Sequence, residues 1–320
     1  MELIVAITIA LLLVAVMLSV TQSTLKLWHR AQSVFTSDIE AKLVLDAVER
    51  DLHAAIFRDN GSAWLAVDVI AAPETLTNHG WRTSGTIKPS TSESLRLDPP
   101  PVGGRPPSVA DTRFGLSGAW LRFITTNIET KGSGNPGGSQ PIAVSYQIGR
   151  RPLSGSVAAG NPATVRYTLF RSAVANDTTL LVGLDVLGTG YASSSSTFPA
   201  ARAARSLTNP NSADAIGSNV IDLSVWLFAR NASGELQLIF PVTNADFTHT
   251  ASSLGDFPEV ADVMMRVLTE DGAKMIDALE SGAGVVIRPA GSTDAEWWWS
   301  VAEANSRVHV RRIYLKGGRW

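Results

Sequence analysis

The most regular feature of the chain is an unbroken apolar run near its start. Residues 3–18 read LIVAITIALLLVAVML, in which Thr8 is the one polar side chain, and no charge occurs between Glu2 and Lys26. As a helix, residues 3–25 would be about 35 Å long, enough to cross the roughly 30 Å hydrocarbon core of a membrane. Because this run is apolar on every face, it predicts a transmembrane segment over residues 1–25.

Beyond Lys26 the pattern becomes amphipathic without a break, and no Gly or Pro occurs in residues 1–60. Apolar residues recur at spacings of three and four, which is the periodicity of a helix. This stripe consists of Leu45, Val48, Leu52 and Ile56. Charged residues fill the other faces, namely Asp38, Glu40, Lys42, Asp46, Glu49, Arg50 and Asp51. We therefore predict one continuous helix over 3–56. The amphipathic region, residues 26–60, is expected to pack the stripe against a globular head.

Residues 61–320 consist of short β-branched and aromatic runs between clusters of Gly, Pro, Ser and Asn, a pattern typical of β-strands. The predicted strands are 64–70, 120–126, 143–148, 164–171, 220–229, 236–241, 260–268 and 307–315. Two helices are predicted, at 273–281 and 294–304, and long surface loops are predicted at 83–118, 131–141 and 190–219. The predicted fold class is α+β, with the long helix packed on an antiparallel β-sheet head.

Composition narrows the range of functions. The chain has 27 basic and 29 acidic residues and a formal charge of −2, so it lacks the basic footprint of a nucleic-acid-binding protein. It has no cysteine, which excludes disulfides, thiolate metal sites and a cysteine nucleophile. The five histidines show no metal-ligand spacing, and phosphate-binding loops and the Gly-x-Ser-x-Gly nucleophile motif are absent. Residues 23–26 match the Ser-x-x-Lys motif of acylating enzymes, but its partner motifs Ser-Asp-Asn and Lys-Thr-Gly are missing, so we interpret the match as chance. We therefore expect a protein that is not an enzyme and has no cofactor.

Two further features have a bland and a functional interpretation. Asn209, Asn211, Asp214 and Asn219 could supply oxygen ligands for calcium, although their spacing matches no known calcium loop and a polar surface loop is the simpler interpretation. Trp297, Trp298 and Trp299 could form an aromatic recognition or membrane-interface patch. Three consecutive side chains cannot all face one way, so one or two buried tryptophans with a third at the rim is the simpler interpretation.

The first thirteen residues, MELIVAITIALLL, resemble the N-terminus of type IV pilins and type II secretion pseudopilins. In that family a glutamate precedes a long apolar helix that continues into an amphipathic half, and Glu2 matches that glutamate. The family's short basic leader and first mature residues are missing before Met1, so the resemblance implies that the sequence is N-terminally truncated relative to the prepilin.

Later segments add to the resemblance. A strand with Tyr146, a strand ending in Arg171, the run NVIDLSVWL at 219–227 and the run FPEVADVMMRVLTEDG at 257–272 follow one another in an order similar to that of the large minor pseudopilin lettered J. The ending from Ser306 to Arg312 also resembles the pilin-like Verru_Chthon cassette protein C group.

The resemblance implies a pilin-like structural subunit of a type II secretion or type IV pilus-like filament. It implies processing and N-terminal methylation by a prepilin peptidase, an assembly platform, and other pilin-like subunits as partners. It also implies a single-pass protein of the bacterial inner membrane with its head in the periplasm or on the cell surface. Glu2 would act in assembly by pairing with a cation of a neighbouring chain.

Several alternatives stay open at the level of sequence. The apolar run could be a cleaved signal peptide or a generic anchor, and Glu2 could simply lie among lipid headgroups. The nearest basic residues, Lys26 and Arg30, follow the span and taken alone predict that the head is cytoplasmic. The main rival function is a single-pass, membrane-anchored periplasmic binding or sensor domain that does not polymerise.

Overall fold

The computed structural model describes residues 2–70, 118–127, 140–152, 165–192, 204–207, 210, 212–242, 248–281, 289–291 and 294–315. The long helix α1 spans Glu2–His53 without a break. This confirms the single continuous helix that the absence of Gly and Pro predicts, although α1 ends three residues before the expected end at 56.

The early end of α1 has a physical cause, because the backbone after His53 pairs with a strand, β2 (Gly118–Asn127). The Ile56 N–H donates to Ile124 O at 2.9 Å, and the Thr126 N–H donates to Ala54 O at 3.0 Å. Ala55 forms an antiparallel bridge with Thr125. These bonds pair the backbone that follows α1, and the Thr125 hydroxyl group donates at 2.7 Å to the Asp51 carbonyl, one of the groups that the last turn of a helix leaves without an intrahelical partner.

Ten described strands form two antiparallel sheets. The larger sheet has the order β5-β4-β3-β2-β1-β8, and the smaller has the order β10-β9-β6-β7. In the larger sheet, β2 is joined by β1 (Leu65–Ile70), β3 (Gln140–Pro152), β4 (Val165–Val174), β5 (Ala215–Ser218) and β8 (Thr248–Ala251). The smaller sheet consists of β6 (Val220–Arg230), β7 (Leu236–Phe240), β9 (Val260–Leu268) and β10 (Ser306–Tyr314). The predicted antiparallel head is therefore confirmed, as two sheets.

Four further helices lie in the head: α2 (Asn176–Val182), α3 (Thr189–Ala192), α4 (Glu270–Ser281) and α5 (Asp294–Ala304). The eight predicted strands and both predicted head helices are present, with small shifts of their ends. The loop predicted at 190–219 is corrected, because it contains β5 and two short 3₁₀ turns, Arg205–Leu207 and Ser212–Asp214. Most of the loops predicted at 83–118 and 131–141 lies outside the described residues.

The main core lies where the second half of α1 meets both sheets. Ala41, Val44 and Leu45 of α1 pack in one buried cluster with residues of β2, β3, β6 and β9. Every residue of β9 is buried, which accounts for its nearly continuous apolar sequence. A second, smaller cluster around Trp64, Ile124 and Tyr191 lies beyond the C-terminal end of α1.

Candidate functional site: the exposed and attached halves of the N-terminal helix

The first half of α1 exposes apolar side chains on all sides. Every large apolar residue from Ile4 to Trp28 has between 51 % and 70 % of its surface exposed. Within the described part of the chain, α1 is the one helix whose length and apolar composition would allow it to cross a membrane. An apolar surface of this size is costly in water, and it is compatible with contact with lipid or with other apolar helices.

The polar side chains within this segment are adapted to an apolar environment. The hydroxyl groups of Thr8, Thr21 and Thr24 donate to the backbone carbonyls four residues earlier, at 2.8, 2.8 and 2.9 Å. Because these donors have partners within the helix itself, they need no water. Glu2 is the first residue of α1, and its side chain lies outside the described part of the structure.

The second half of α1 attaches the helix to the head through the predicted stripe. Leu45, Val48 and Leu52 are 4 %, 1 % and 1 % exposed and lie in the main core. Ile56 departs from the prediction, because it follows the end of α1 and is only half-buried. It packs against the second cluster instead. The backbone pairing with β2 turns Ile56 off the helical face on which its spacing would place it.

A buried ionic network fixes the C-terminal end of α1. Asp51 is 6 % exposed and receives two hydrogen bonds from Arg171 of β4, from Nε to Oδ2 at 2.7 Å and from Nη2 to Oδ1 at 3.1 Å. The hydroxyl group of Tyr146 on β3 also donates to Oδ2, at 2.6 Å. Tyr146 and Arg171 face each other in the β3–β4 register. The network therefore ties the helix to two neighbouring strands.

Burial and charge together set the protonation states in this network. Burial raises the pKa of the Tyr146 hydroxyl well above its usual value, and the neighbouring Asp51 carboxylate raises it further. Burial works against the charge of Arg171, but its hydrogen bonds to Asp51 and its electrostatic interactions with Tyr146 and Asp51 outweigh burial and raise its pKa. At neutral pH the phenol of Tyr146 is therefore neutral and the guanidinium of Arg171 is charged.

The periodicity did not predict Asp51 as a buried residue, since it counted this aspartate among the solvent-facing charges of the helix. A signal was present in the strands, because Tyr146 and Arg171 are polar residues within the two strand motifs that carry the resemblance. Paired strands that present a phenol and a guanidinium to a buried helix face require a carboxylate on that face.

A second set of polar contacts holds α1 on the strand β10. Arg307 donates to Asp38 at 3.1 Å, and His309 lies 3.6 Å from the same carboxylate. Arg311 pairs with Asp46 and with Glu49, the latter at 2.7 Å. On the edge strand β5, the backbone N–H and the hydroxyl group of Ser218 donate to Glu40 at 2.6 and 2.7 Å. Acidic residues of α1 therefore bind the head, and do not serve only as solvated surface.

The structure describes two of the four candidate calcium ligands, Asp214 and Asn219. Asp214 accepts a hydrogen bond from Ser172 at 3.0 Å, and Asn219 donates to Glu270 at 3.4 Å. Asn209 and Asn211 lie outside the described residues. The described part of the chain contains no group of three or more His, Asp or Glu residues that could hold a metal ion.

The tryptophan run lies on α5. Trp297 is half-buried and packs against the main core, as the simpler interpretation expects of at least one of the three. The side chains of Trp298 and Trp299 lie outside the described part of the structure.

Comparison of the chain with models of known protein families, with curated proteins and with solved structures finds no match. The geometry of α1 therefore stands as the main guide to function. The first half of α1 is apolar and exposed. The second half is attached to the folded head by buried contacts.

Proposed function

We propose that the chain is a pilin-like structural subunit that is anchored in a membrane by the first half of α1 and assembles with other pilin-like subunits through the same segment. The observation that supports this proposal is the continuity of α1. One unbroken helix is exposed and apolar over its first half, and one face of its second half is buried in the head. A helix built in this way can exchange lipid for neighbouring helices without any change in the head.

The proposed mechanism is one of packing. In the membrane, lipid covers the apolar half of α1; in an assembly, the apolar halves of neighbouring subunits cover one another and the heads lie outside. Helices that meet in this way gain van der Waals contacts along their length. The proposal includes the bacterial inner membrane as the site of anchoring, a periplasmic or surface-exposed head, a prepilin peptidase and an assembly platform. It includes no catalytic reaction, cofactor or nucleic acid.

Glu2 provides the sharpest test. A carboxylate at the edge of an apolar helix costs free energy in lipid unless it is paired, by at least about 2.5–3.5 kcal/mol at the centre of a membrane. In an assembly, a cation of the adjacent subunit could approach Glu2 in a low dielectric, where the attraction is much stronger than in water. In a lone subunit, Glu2 can stay hydrated among the headgroups.

We therefore expect Glu2→Gln to leave membrane insertion and the melting temperature of the head unchanged but to reduce co-purification with other pilin-like subunits. The substitution is made in the native gene with its upstream sequence. Lys26→Gln is the matched control, because it removes a single charge from the other end of the apolar segment. Co-purification from solubilised membranes and the content of sheared filaments are the measurements.

Equal assembly of Glu2→Gln and the unchanged chain would show that Glu2 is only a headgroup residue. If the unchanged chain inserts into membranes but is recovered with no other subunit, the rival proposal of an anchored binding or sensor domain replaces this one. A chain found entirely in the soluble fraction would contradict both.

A further inference from the structure

The face of α1 that points away from the head carries a regular apolar strip beyond the membrane segment. It consists of Leu25, Trp28, Gln32, Phe35 and Ile39, which we call the outer strip. Leu25, Trp28, Phe35 and Ile39 are 51 %, 58 %, 66 % and 45 % exposed. The spacing between successive members is three, four, three and four residues, which is the a/d pattern of a two-stranded coiled coil.

The outer strip lies opposite the buried face of the helix. Ser37, Ala41 and Val44 are 6 %, 0 % and 2 % exposed and face the head, whereas Phe35 and Ile39 lie about half a turn away. The described part of the head therefore lies on the far side of α1 from Phe35 and Ile39, so a second helix could approach these residues from the open side.

Lipid cannot cover the outer strip completely either. The same spacing runs back through the membrane segment to Leu11, Val14, Leu18 and Thr21. From Leu11 to Ile39 the helix extends about 42 Å, which exceeds the roughly 30 Å hydrocarbon core of a bilayer. With residues 3–25 in lipid, Phe35 and Ile39 lie outside the hydrocarbon core, where their exposure to water is unfavourable.

We propose that the outer strip is covered by the outer strip of a second copy of this chain, in a parallel pair of helices. Two copies that are anchored by the same segment have the same depth and direction in the membrane, so identical residues lie side by side. The pairing surface is then self-complementary about a two-fold axis parallel to the helices, and the heads lie on opposite outer sides. This inference rests on the membrane anchoring in the proposed function and requires no filament.

The composition of the strip agrees with this occupant. Gln32 is the one polar residue between Leu25 and Ile39 at an a or d position, and a single polar residue at such a position specifies the register of a parallel pair. Ala31 and Thr36, which flank Gln32 and Phe35, are small and uncharged, so no like charges oppose each other at this level of the pair. Lys42 and Asp46 occupy the next two positions of the pattern and end the apolar contact.

The absence of cysteine makes the pairing directly testable. Ile39→Cys and Gln32→Cys are each introduced singly into the full chain, which is purified and reconstituted into phospholipid vesicles, and the dimer formed on mild oxidation is measured on a non-reducing gel. Leu27→Cys is the matched control, because Leu27 is 69 % exposed but lies off the strip. Since a disulfide needs Cβ atoms within about 4.5 Å, we expect about tenfold more dimer at positions 32 and 39 than at position 27.

Three results would overturn the pairing. The first is equal dimer yield at positions 27 and 39, and the second is no dimer at any of the three positions. The third is a dimer that forms only when Ile39→Cys is mixed with Val14→Cys, because that result requires a staggered pair. Recovery of each variant with the vesicles is measured separately, so failure of membrane anchoring, which would contradict the proposed function, is distinguished from failure of the pairing.

Discussion

Asp51 is the residue on which the attachment of α1 depends most. Its carboxylate is buried between the helix and the larger sheet, and its partners come from two strands that are distant in sequence. Removing one partner of a buried ion pair leaves an uncompensated charge, which costs more than the pair contributes when complete. The network therefore specifies where the helix lies on the sheet, and the loss of any one of its side chains removes hydrogen bonds from the others.

We predict that Arg171→Met destabilises the head by about 3 kcal/mol, because it leaves the Asp51 carboxylate buried with no cation bound to it in a bidentate manner. Tyr146→Phe removes one hydrogen bond to the same carboxylate and should cost less, about 1.5 kcal/mol. Thermal unfolding of the full chain in detergent, followed by circular dichroism, measures both effects.

The double substitution Asp51→Asn with Arg171→Met is the control for this prediction. It removes both charges together, so we expect it to recover part of the stability that Arg171→Met loses. A double variant as unstable as the sum of its single changes would show that the two charges do not depend on each other.

At the scale of the element, the two halves of α1 differ in which of their faces are exposed. Over residues 4–28 it is exposed on all sides, whereas over its second half one face lies in the core and the opposite face carries apolar residues in the open. Leu43 and Leu45 are two residues apart and show the contrast, with 64 % and 4 % of their surfaces exposed.

These two leucines provide a matched pair of substitutions. We predict that Leu45→Ala lowers the stability of the head by about 2–5 kcal/mol, since it removes a buried side chain and leaves a cavity. Leu43→Ala should change stability by less than about 0.5 kcal/mol, since Leu43 lies outside the core. Melting temperatures of the two variants decide the question, and equal losses would show that the face assignment of α1 is wrong.

Periodicity was sufficient for the elements that bury one face over many residues. It predicted α1, the head helices α4 and α5, and the strand β9, which has the predicted bounds. It did not predict β5 (AIGS), β8 (THTA) or α2 (NDTTLLV), which have four, four and seven residues. Elements this short contain too few residues to show a period, and β5 and β8 form because neighbouring strands supply their hydrogen bonds.

The candidate site was predictable only where it is defined by the local spacing of residues. The apolar half of α1 and the positions Leu45, Val48 and Leu52 follow from local spacing. The burial of Asp51 depends on Arg171, 120 positions away in the sequence. Likewise, the end of α1 at His53 depends on its pairing with β2. Long-range contacts of this kind leave no trace in the periodicity of a single segment.

At the scale of the whole molecule, the structure separates a membrane-compatible segment from a head whose core includes the rest of α1. The described side chains of residues 4–25 make no contribution to the main core, whereas residues 41–52 supply five of its apolar side chains, namely Ala41, Val44, Leu45, Val48 and Leu52. The head therefore depends on the second half of the helix and not on the first.

We predict that a chain beginning at residue 26 is soluble and folded, whereas a chain beginning at residue 58 is strongly destabilised. The longer deletion removes the buried stripe, and each fully buried Leu or Val contributes about 1.5–3 kcal/mol. Size-exclusion chromatography and thermal melts of the two truncated chains measure the difference. Equal melting temperatures would contradict the packing of α1 on the sheets.

The way in which α1 ends also determines how the molecule would carry mechanical force. The segment 54–56 is hydrogen-bonded to β2, and Asp51 is bonded to side chains of β3 and β4. These three strands are adjacent and lie inside the six-stranded sheet, with neighbours on both sides. A pull on the helix is thus distributed over three interior strands, whereas attachment to an edge strand would let that strand peel away first. A subunit that is drawn out of a membrane by its helix would keep its head intact under that load.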